Sequence, residues 1–177
     1  MILSFKTQIE NKPTYFIERI WRCLLCKNFN LLAYHKFRDE SAYNEVIDQW
    51  DFKETLKPKL HTIRQDSKNR WKKGNKIDFF INARKPKMFR FAPVVPVMEI
   101  QSIEFLWSRG FVDTVSIYID GECYVQNYGI EYNSSNQRQE RMERLVINDG
   151  FESVEDFLNY FNTDFKGKII HWTNLKY

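Results

Sequence analysis

The order of hydrophobic periods along the chain predicts an α+β fold, a curved antiparallel sheet or small barrel with helices at its side. Three observations carry that prediction. Apolar residues recur at three- and four-residue steps near the amino end and again after Gln137, as amphipathic helices require. Beyond Pro58 the apolar positions alternate in short runs bounded by Gly, Asn, Asp and Pro, as strands and hairpins require. No repeat and no Gly-, Pro- or Ser-rich linker divides the 177 residues, so one domain, 1–177, is expected.

The elements follow in order. "ILSF" (Ile2 to Phe5) reads as a short strand, and Pro13-Thr14 prepares a helix. From Tyr15 to Leu25, Phe16, Ile17, Ile20, Trp21, Leu24 and Leu25 form its apolar stripe. Residues 28 to 40 read as irregular. Ser41 then caps a second helix with Tyr43, Val46, Ile47 and Trp50 facing inward. Past Pro58, Thr62 and Arg64 share one strand face while His61 and Ile63 share the other. "KKGNK" is a turn, with Gly74 and Asn75 suited to positive φ. "KIDFFINA", "MFRFA" and "VVPVMEIQSIEFLW" are strands, and "TVSIYIDGECYVQ" is a hairpin around Asp120-Gly121. Gln137 to Ile147 is helical, "SVEDFLNYF" is a helix with a Ser153/Asp156 capping box, and "GKIIHWTNLKY" is a last strand.

Composition sets bounds on function. Apolar residues make up 43% and aromatics 16%, enough to drive folding of a real core. No apolar run is long enough to span a bilayer, no secretion signal is visible in "MILSFKTQIENKP", and three cysteines make no disulfide framework. The expectation is therefore a cytoplasmic protein without membrane attachment. The net charge is only +4, but Lys57 to Arg90 holds twelve Lys or Arg against two Asp, a local +10 that leaves −6 elsewhere. A cationic region this concentrated is the footprint of a phosphate-bearing partner, unless the charges merely solvate exposed strands and turns.

Other motifs carry less. Cys23-Leu24-Leu25-Cys26 has the spacing of zinc and redox sites, but no second ligand pair exists and the pair sits in an apolar helical stripe, so packed thiols are expected. His35, His61 and His171 show no metal-ligand spacing, and His171 reads as a hydrogen-bonded core histidine; neither metal nor cofactor is expected. Six glycines form no phosphate loop. Among 29 aromatics, Trp71 in "NRWKKGN" is either an exposed platform for a base or an anchor holding a turn to the sheet.

Three separated segments, "KLHTIRQDSKNRWKKGNKIDF", "NDGFESVEDFLNYF" and "FKGKIIHWTNLKY", together resemble the ASCH domain family, whose members share a PUA-like β-barrel. The resemblance is closest to compact bacterial and phage members carrying K-x-H-T-I-R-x-D, W-K-x-G and a later DGF-x-S-V-E-D-F. It covers residues 1 to 6 and about 57 to 177, with about 14–56 as a helical insertion. It implies RNA or nucleotide binding in a cleft beside the barrel. Some compact members are instead amidohydrolases that deacylate N-acylated cytidine nucleosides with a Lys, a Thr three residues later and a Glu. The first two fall on Lys59 and Thr62, a neighbouring arginine on Arg64, and the acid on Asp149, one methylene shorter.

The residues themselves support three readings. In the first, a binding module, Lys59, Thr62, Arg64 and Asp149 mark the cleft; His61 and Trp71 join the ligand-facing set, and Lys68, Arg70, Lys72, Lys73 and Lys76 hold phosphates. In the second, Lys59, Thr62 and Asp149 are catalytic: a threonine needs a base, and a lysine serves only when neutral, which requires burial or crowding by cations. Positions i and i+3 of a strand face opposite ways, so Lys59 and Thr62 meet only if the chain bends between them. The third is an interaction protein that uses the 14–56 helices to hold a partner or a second copy. Against all three stands a structural alternative: Arg64 paired with Asp66 or Asp149, and Lys59 solvated.

Overall fold

The computed structural model of the chain describes residues 1–27, 31–39, 55–129 and 136–177. Among the described residues it is an α+β protein with four helices and mostly open, antiparallel sheets. The strands are β1 (Ile2–Phe5), β2 (Gln8–Ile9), β3 (Lys12–Pro13), β4 (His61–Arg64), β5 (Lys76–Ile81), β6 (Phe89–Arg90), β7 (Val95–Pro96), β8 (Glu99–Ser108), β9 (Thr114–Ile119), β10 (Glu122–Tyr128) and β11 (Phe165–His171). The helices are α1 (Phe16–Leu25), α2 (Leu31–Asp39), α3 (Asn136–Asn148) and α4 (Val154–Tyr160). The largest sheet runs β10-β9-β8-β11-β4; a second joins β1, β5 and β6, with β7 also on β5; and β2 pairs β3 in a third.

The β9–β10 hairpin turns at Asp120 and Gly121, both at positive φ (52° and 84°), the backbone a two-residue hairpin needs. Ser153 caps α4: its Oγ accepts the Asp156 N–H at 3.0 Å. In α1 the apolar stripe of Phe16, Ile17, Ile20, Trp21 and Leu24 is buried as its spacing requires, and the Trp21 indole donates to the Phe91 carbonyl at 2.8 Å. Glu18 and Arg19, off that stripe, are buried too, because the segment leading into β4 crosses over them: the Lys59 N–H donates to the Arg19 carbonyl at 3.0 Å.

Four expectations need correction. Residues 31–39, read as irregular, form α2, whose Leu31 and Leu32 stay exposed. β1 pairs β5 in parallel (Leu3 opposite Phe79), not antiparallel. In the 72–76 turn Gly74 takes the positive φ (83°), but Asn75 does not; Asn69 does instead, at 49°. The strand read across "MFRFA" shrinks to Phe89–Arg90. The helix read from Ser41 lies outside the described residues.

The core has two aromatic centres. Phe5, Phe79, Phe91 and Trp172 meet at centroid distances of 5.2–6.4 Å where β1 and β5 cross the end of β11. Phe105, Phe157, Phe161 and Phe165 meet between α4 and the largest sheet, with Phe105 stacked on Phe161 at 4.9 Å. Burying each such ring is worth roughly 1.5–3 kcal/mol. Among the described residues no helix is long and apolar enough to cross a membrane.

Gly167 in β11 marks the tightest backbone approach. A Cβ there would lie 2.5 Å from the Arg64 carbonyl oxygen and 2.6 Å from the Phe165 ring. Gly167→Ala is therefore expected to destabilise the protein by about 1–3 kcal/mol, the usual range for overpacking. Chemical denaturation would check this; an unchanged midpoint would contradict the packing of β11 on β4.

Candidate functional site

The end of α3 builds one wall of the site. Gly150 sits at φ 88°, the Phe151 N–H bonds the Val146 carbonyl at 3.1 Å, and the Gly150 N–H bonds the Ile147 carbonyl at 2.9 Å. This is a Schellman closure, with Asp149 as the C-cap residue and Gly150 supplying the left-handed turn. Asp149 thus presents both its carbonyl and its carboxylate at the negative end of the helix dipole.

Lys59 meets that end. Its side chain is 1% exposed, and its Nζ donates to the Asp149 carbonyl oxygen and lies 3.1 Å from Oδ1. The amine also stands 4.5 Å from the Phe16 ring centroid and 5.9 Å from that of Phe5, so cation–π attraction adds to the pair. A Cβ on residue 150 would come within 2.9 Å of Lys59 Cδ, which makes glycine there a packing requirement as well as a turn requirement. The chain reaches this geometry because the segment before β4 is pinned to helices: Lys59 N–H to Arg19 and Leu60 N–H to the Asn148 carbonyl at 2.8 Å. From that irregular entry Lys59 comes to line the same hollow as Thr62 of β4.

The pair's charges pull in opposite directions. Burial pushes Lys59 down from its ordinary value, to about 8; Asp149 opposes that shift and Arg64 adds to it. For Asp149, burial pushes upward but is outweighed by Lys59 and His61, so the carboxyl ends below the usual range. The Asp149 Oδ1 also accepts the Ile63 N–H at 3.0 Å. The Asp149 carboxylate reaches the lysine amine directly.

Lys59, Thr62, Arg64 and Asp149 all line one hollow of about 20 Å³, walled by Ile9, Phe16 and Tyr160 among others. Thr62 is buried, and Arg64 is half-buried, its Nη2 donating to the Ser4 carbonyl at 2.8 Å and its guanidinium 5.1 Å from the Phe5 ring. Neither Asp66 nor Asp149 forms an ion pair with it among the described residues, and its buried Nε has no hydrogen-bond partner there. The Asp66 carboxylate instead takes the N–H groups of Arg70 (3.0 Å) and Trp71 (2.9 Å) and so ties the basic turn to its own stem.

The other ligand-facing residues lie elsewhere. Lys68, Arg70, Lys72, Lys73 and Lys76 are exposed and none lines the hollow; Lys73 pairs with Glu99 at 3.3 Å. Trp71 is buried in the core, an anchor for the turn and not a platform open to a base. His61 is fully buried behind Asp149, its Nδ1 3.4 Å from Oδ1 and its Nε2 2.7 Å from the Tyr177 hydroxyl. His171, expected to be hydrogen-bonded, is buried with neither ring nitrogen partnered among the described residues, and burial lowers its pKa to about 3. Of the packed thiols, Cys23 is buried and pushed up to about 11 by burial, while Cys26 is exposed. Among the described residues no group of three His, Cys, Asp or Glu is placed to hold a metal. Sequence reasoning missed Tyr177, Asn148 and Phe16: Asn148 and Tyr177 fall within the quoted segments and Phe16 in the α1 stripe, but no spacing marks them as part of the site.

No family model, curated protein or solved structure matches this chain.

Because the Asp149 charge holds the Lys59 amine protonated, Asp149→Asn is expected to drop the lysine pKa below about 8. Titrating the Lys59 side-chain resonances by NMR would check this; a rise would show that the two groups are not coupled as placed. The unfolded chain binds the lysine proton more readily than the native one. Lys59 therefore makes native stability rise as pH increases from about 8 toward 10.5.

Proposed function

We propose that the chain is an ASCH-like nucleoside module whose Lys59, Thr62 and Asp149 hydrolyse an exocyclic N-acyl group on a cytidine-type base. The supporting observation is that the Lys59 amine, with a pKa near 8, shares a hollow with a hydroxyl, a carboxylate and an arginine. Strongly perturbed groups gathered in one cleft are the usual mark of a reaction centre. Ordinary lysines are almost wholly protonated at neutral pH, whereas roughly a tenth of Lys59 is neutral at pH 7.

In this reading neutral Lys59 takes the Thr62 proton as Oγ attacks the acyl carbon. The C–N bond then breaks, and the lysine ammonium returns the proton to the departing base nitrogen. Water cleaves the resulting threonyl ester, giving the carboxylic acid and restoring the hydroxyl. Asp149 holds the lysine in place, and Arg64 stacks on or donates to the substrate, which its planar fork suits. A hollow of about 20 Å³ admits little more than one water, so Ile9 and Tyr160 must swing aside for the acyl group. A single core shared by the strands of the two larger sheets suits a PUA-like barrel, with 14–56 as its insertion. Three free thiols suit the reducing cytoplasm where we place the chain.

A second reading is favoured by the separate basic turn. Its five exposed cations, displaced from the hollow, suit the phosphates of single-stranded RNA. A partner surface on the 14–56 segment remains a third proposal, suggested by the exposed Leu31 and Leu32.

Chromatography of acetylated cytidine incubated with the chain tests the first reading. Lys59→Ala and Thr62→Ala are each expected to lose about 10²–10⁴-fold in rate, and native turnover to climb with pH up to about 8. Equal turnover in native and variant chains would dismiss the mechanism. For the second reading, five phosphate contacts predict that log affinity for single-stranded RNA falls with log salt at a slope of about −3.5. A flat dependence would remove the turn from any RNA role.

A further inference from the structure

Next to Asp149, outside the lining of the hollow, lies a second layer of polar groups. Tyr177 Oη is 2.7 Å from His61 Nε2 and accepts a hydrogen bond from Asn148 Nδ2 at 3.0 Å. It makes no third hydrogen bond among the described residues. His61 Nδ1 is 3.4 Å from Asp149 Oδ1, in contact but not aligned as a hydrogen bond. The remaining groups around this pair are Lys59 from the segment before β4, His171 from β11 with its ring centroid 5.1 Å from that of His61, and Tyr124 and Arg144 against the Tyr177 ring at 5.3 and 5.6 Å.

Counting protons decides the tautomer. A hydroxyl has one hydrogen to give. With Asn148 occupying a lone pair, that hydrogen goes to His61 Nε2, so Nε2 accepts. A neutral imidazole then carries its proton on Nδ1, which faces the carboxylate. The reverse tautomer would leave the half-buried hydroxyl hydrogen without a partner among the described residues and aim an Nδ1 lone pair at Asp149 from 3.4 Å. Burial, partly countered by Asp149, keeps His61 below its ordinary pKa and hence neutral, while His171 is neutral and offers no competing charge.

We propose that His61 is a positioning residue for the Asp149 carboxylate, its tautomer set from behind by the Tyr177 hydroxyl. A carboxylate alone beside a lysine would keep that lysine charged. An Nδ1–H turned toward the same oxygen shares the anion's charge and holds Asp149 in place when Lys59 gives up its proton. This last consequence rests on the hydrolytic reading; the hydrogen-bond assignment does not.

Long-range ¹H–¹⁵N spectra of the histidine-labelled full chain test the proposal, with the His61 signals identified by their loss in His61→Gln. The native chain is expected to show the Nδ1–H tautomer. In Tyr177→Phe, which keeps the ring, His61 is expected to shift toward Nε2–H and the Lys59 titration to move to higher pH. A native Nε2–H signal would mean a reversed Asn148 amide and would overturn the proposal, as would an unchanged tautomer in a folded Tyr177→Phe chain. If the variant fails to fold, the native tautomer still decides. If the tautomer shifts as expected but acetylated cytidine is not turned over, the positioning role stands and the hydrolytic reading falls.

Discussion

A lysine amine stripped of water stays in a protein only if something replaces its hydration, and here the C-terminal end of α3 does. Lys59 lies 1% exposed against the carbonyl and the carboxylate of a single residue, Asp149, with the Phe16 ring close by. Much else follows from this contact. The Schellman turn must place Asp149 at the helix end, Gly150 must leave room for the lysine stem, and α1 must lie where its Arg19 carbonyl can hold the Lys59 backbone. The entry into β4 is thereby fixed, with Lys59 at the hollow that Thr62 and Arg64 also line.

Stability alone is a poor reason for such a pair. Removing two charges from water costs several kcal/mol each, and well-packed apolar replacements are often as stable or more so. Its effect is better read in protonation. Burial drives the amine toward neutrality while the carboxylate restrains it, and the balance falls near 8, between a fixed cation and a neutral amine. The exposed cations of the 68–76 turn belong to a separate surface, one that a phosphate backbone can reach without entering the hollow.

Legibility in the sequence followed the range of the interactions. Period-three and period-two patterns located α1, α3, α4 and most strands, because local spacing and core burial agree there. α2 escaped because Leu31 and Leu32 stay exposed, which blurs its apolar stripe. The parallel β1–β5 pairing was invisible, since alternation reports a strand's faces and not its neighbour's direction. In the site, Lys59, Thr62, Arg64 and Asp149 could be named from motif segments, and "NDG" contained the turn that positions the acid. Trp71 could be read either way from its flanking cations, and only packing resolves it. Tyr177 lies 116 residues from His61, so nothing in local spacing announces their contact.

Asp149 is one methylene shorter than the glutamate that the ASCH resemblance implies at this position, and the geometry of the turn accounts for it. A glutamate's extra methylene lengthens reach, which matters when the backbone stands off from the lysine. Here the backbone of residue 149 is itself in hydrogen-bonding contact with Nζ, so distance is not what limits the carboxylate. Its Oδ1 instead meets Lys59, the Ile63 N–H and the His61 ring at 3.1, 3.0 and 3.4 Å. A longer side chain at this cap would have to fold back to make the same three approaches. The close backbone and the short acid are therefore one solution: α3 moves the charge to the lysine by placing its own terminus there, and the side chain only completes the approach.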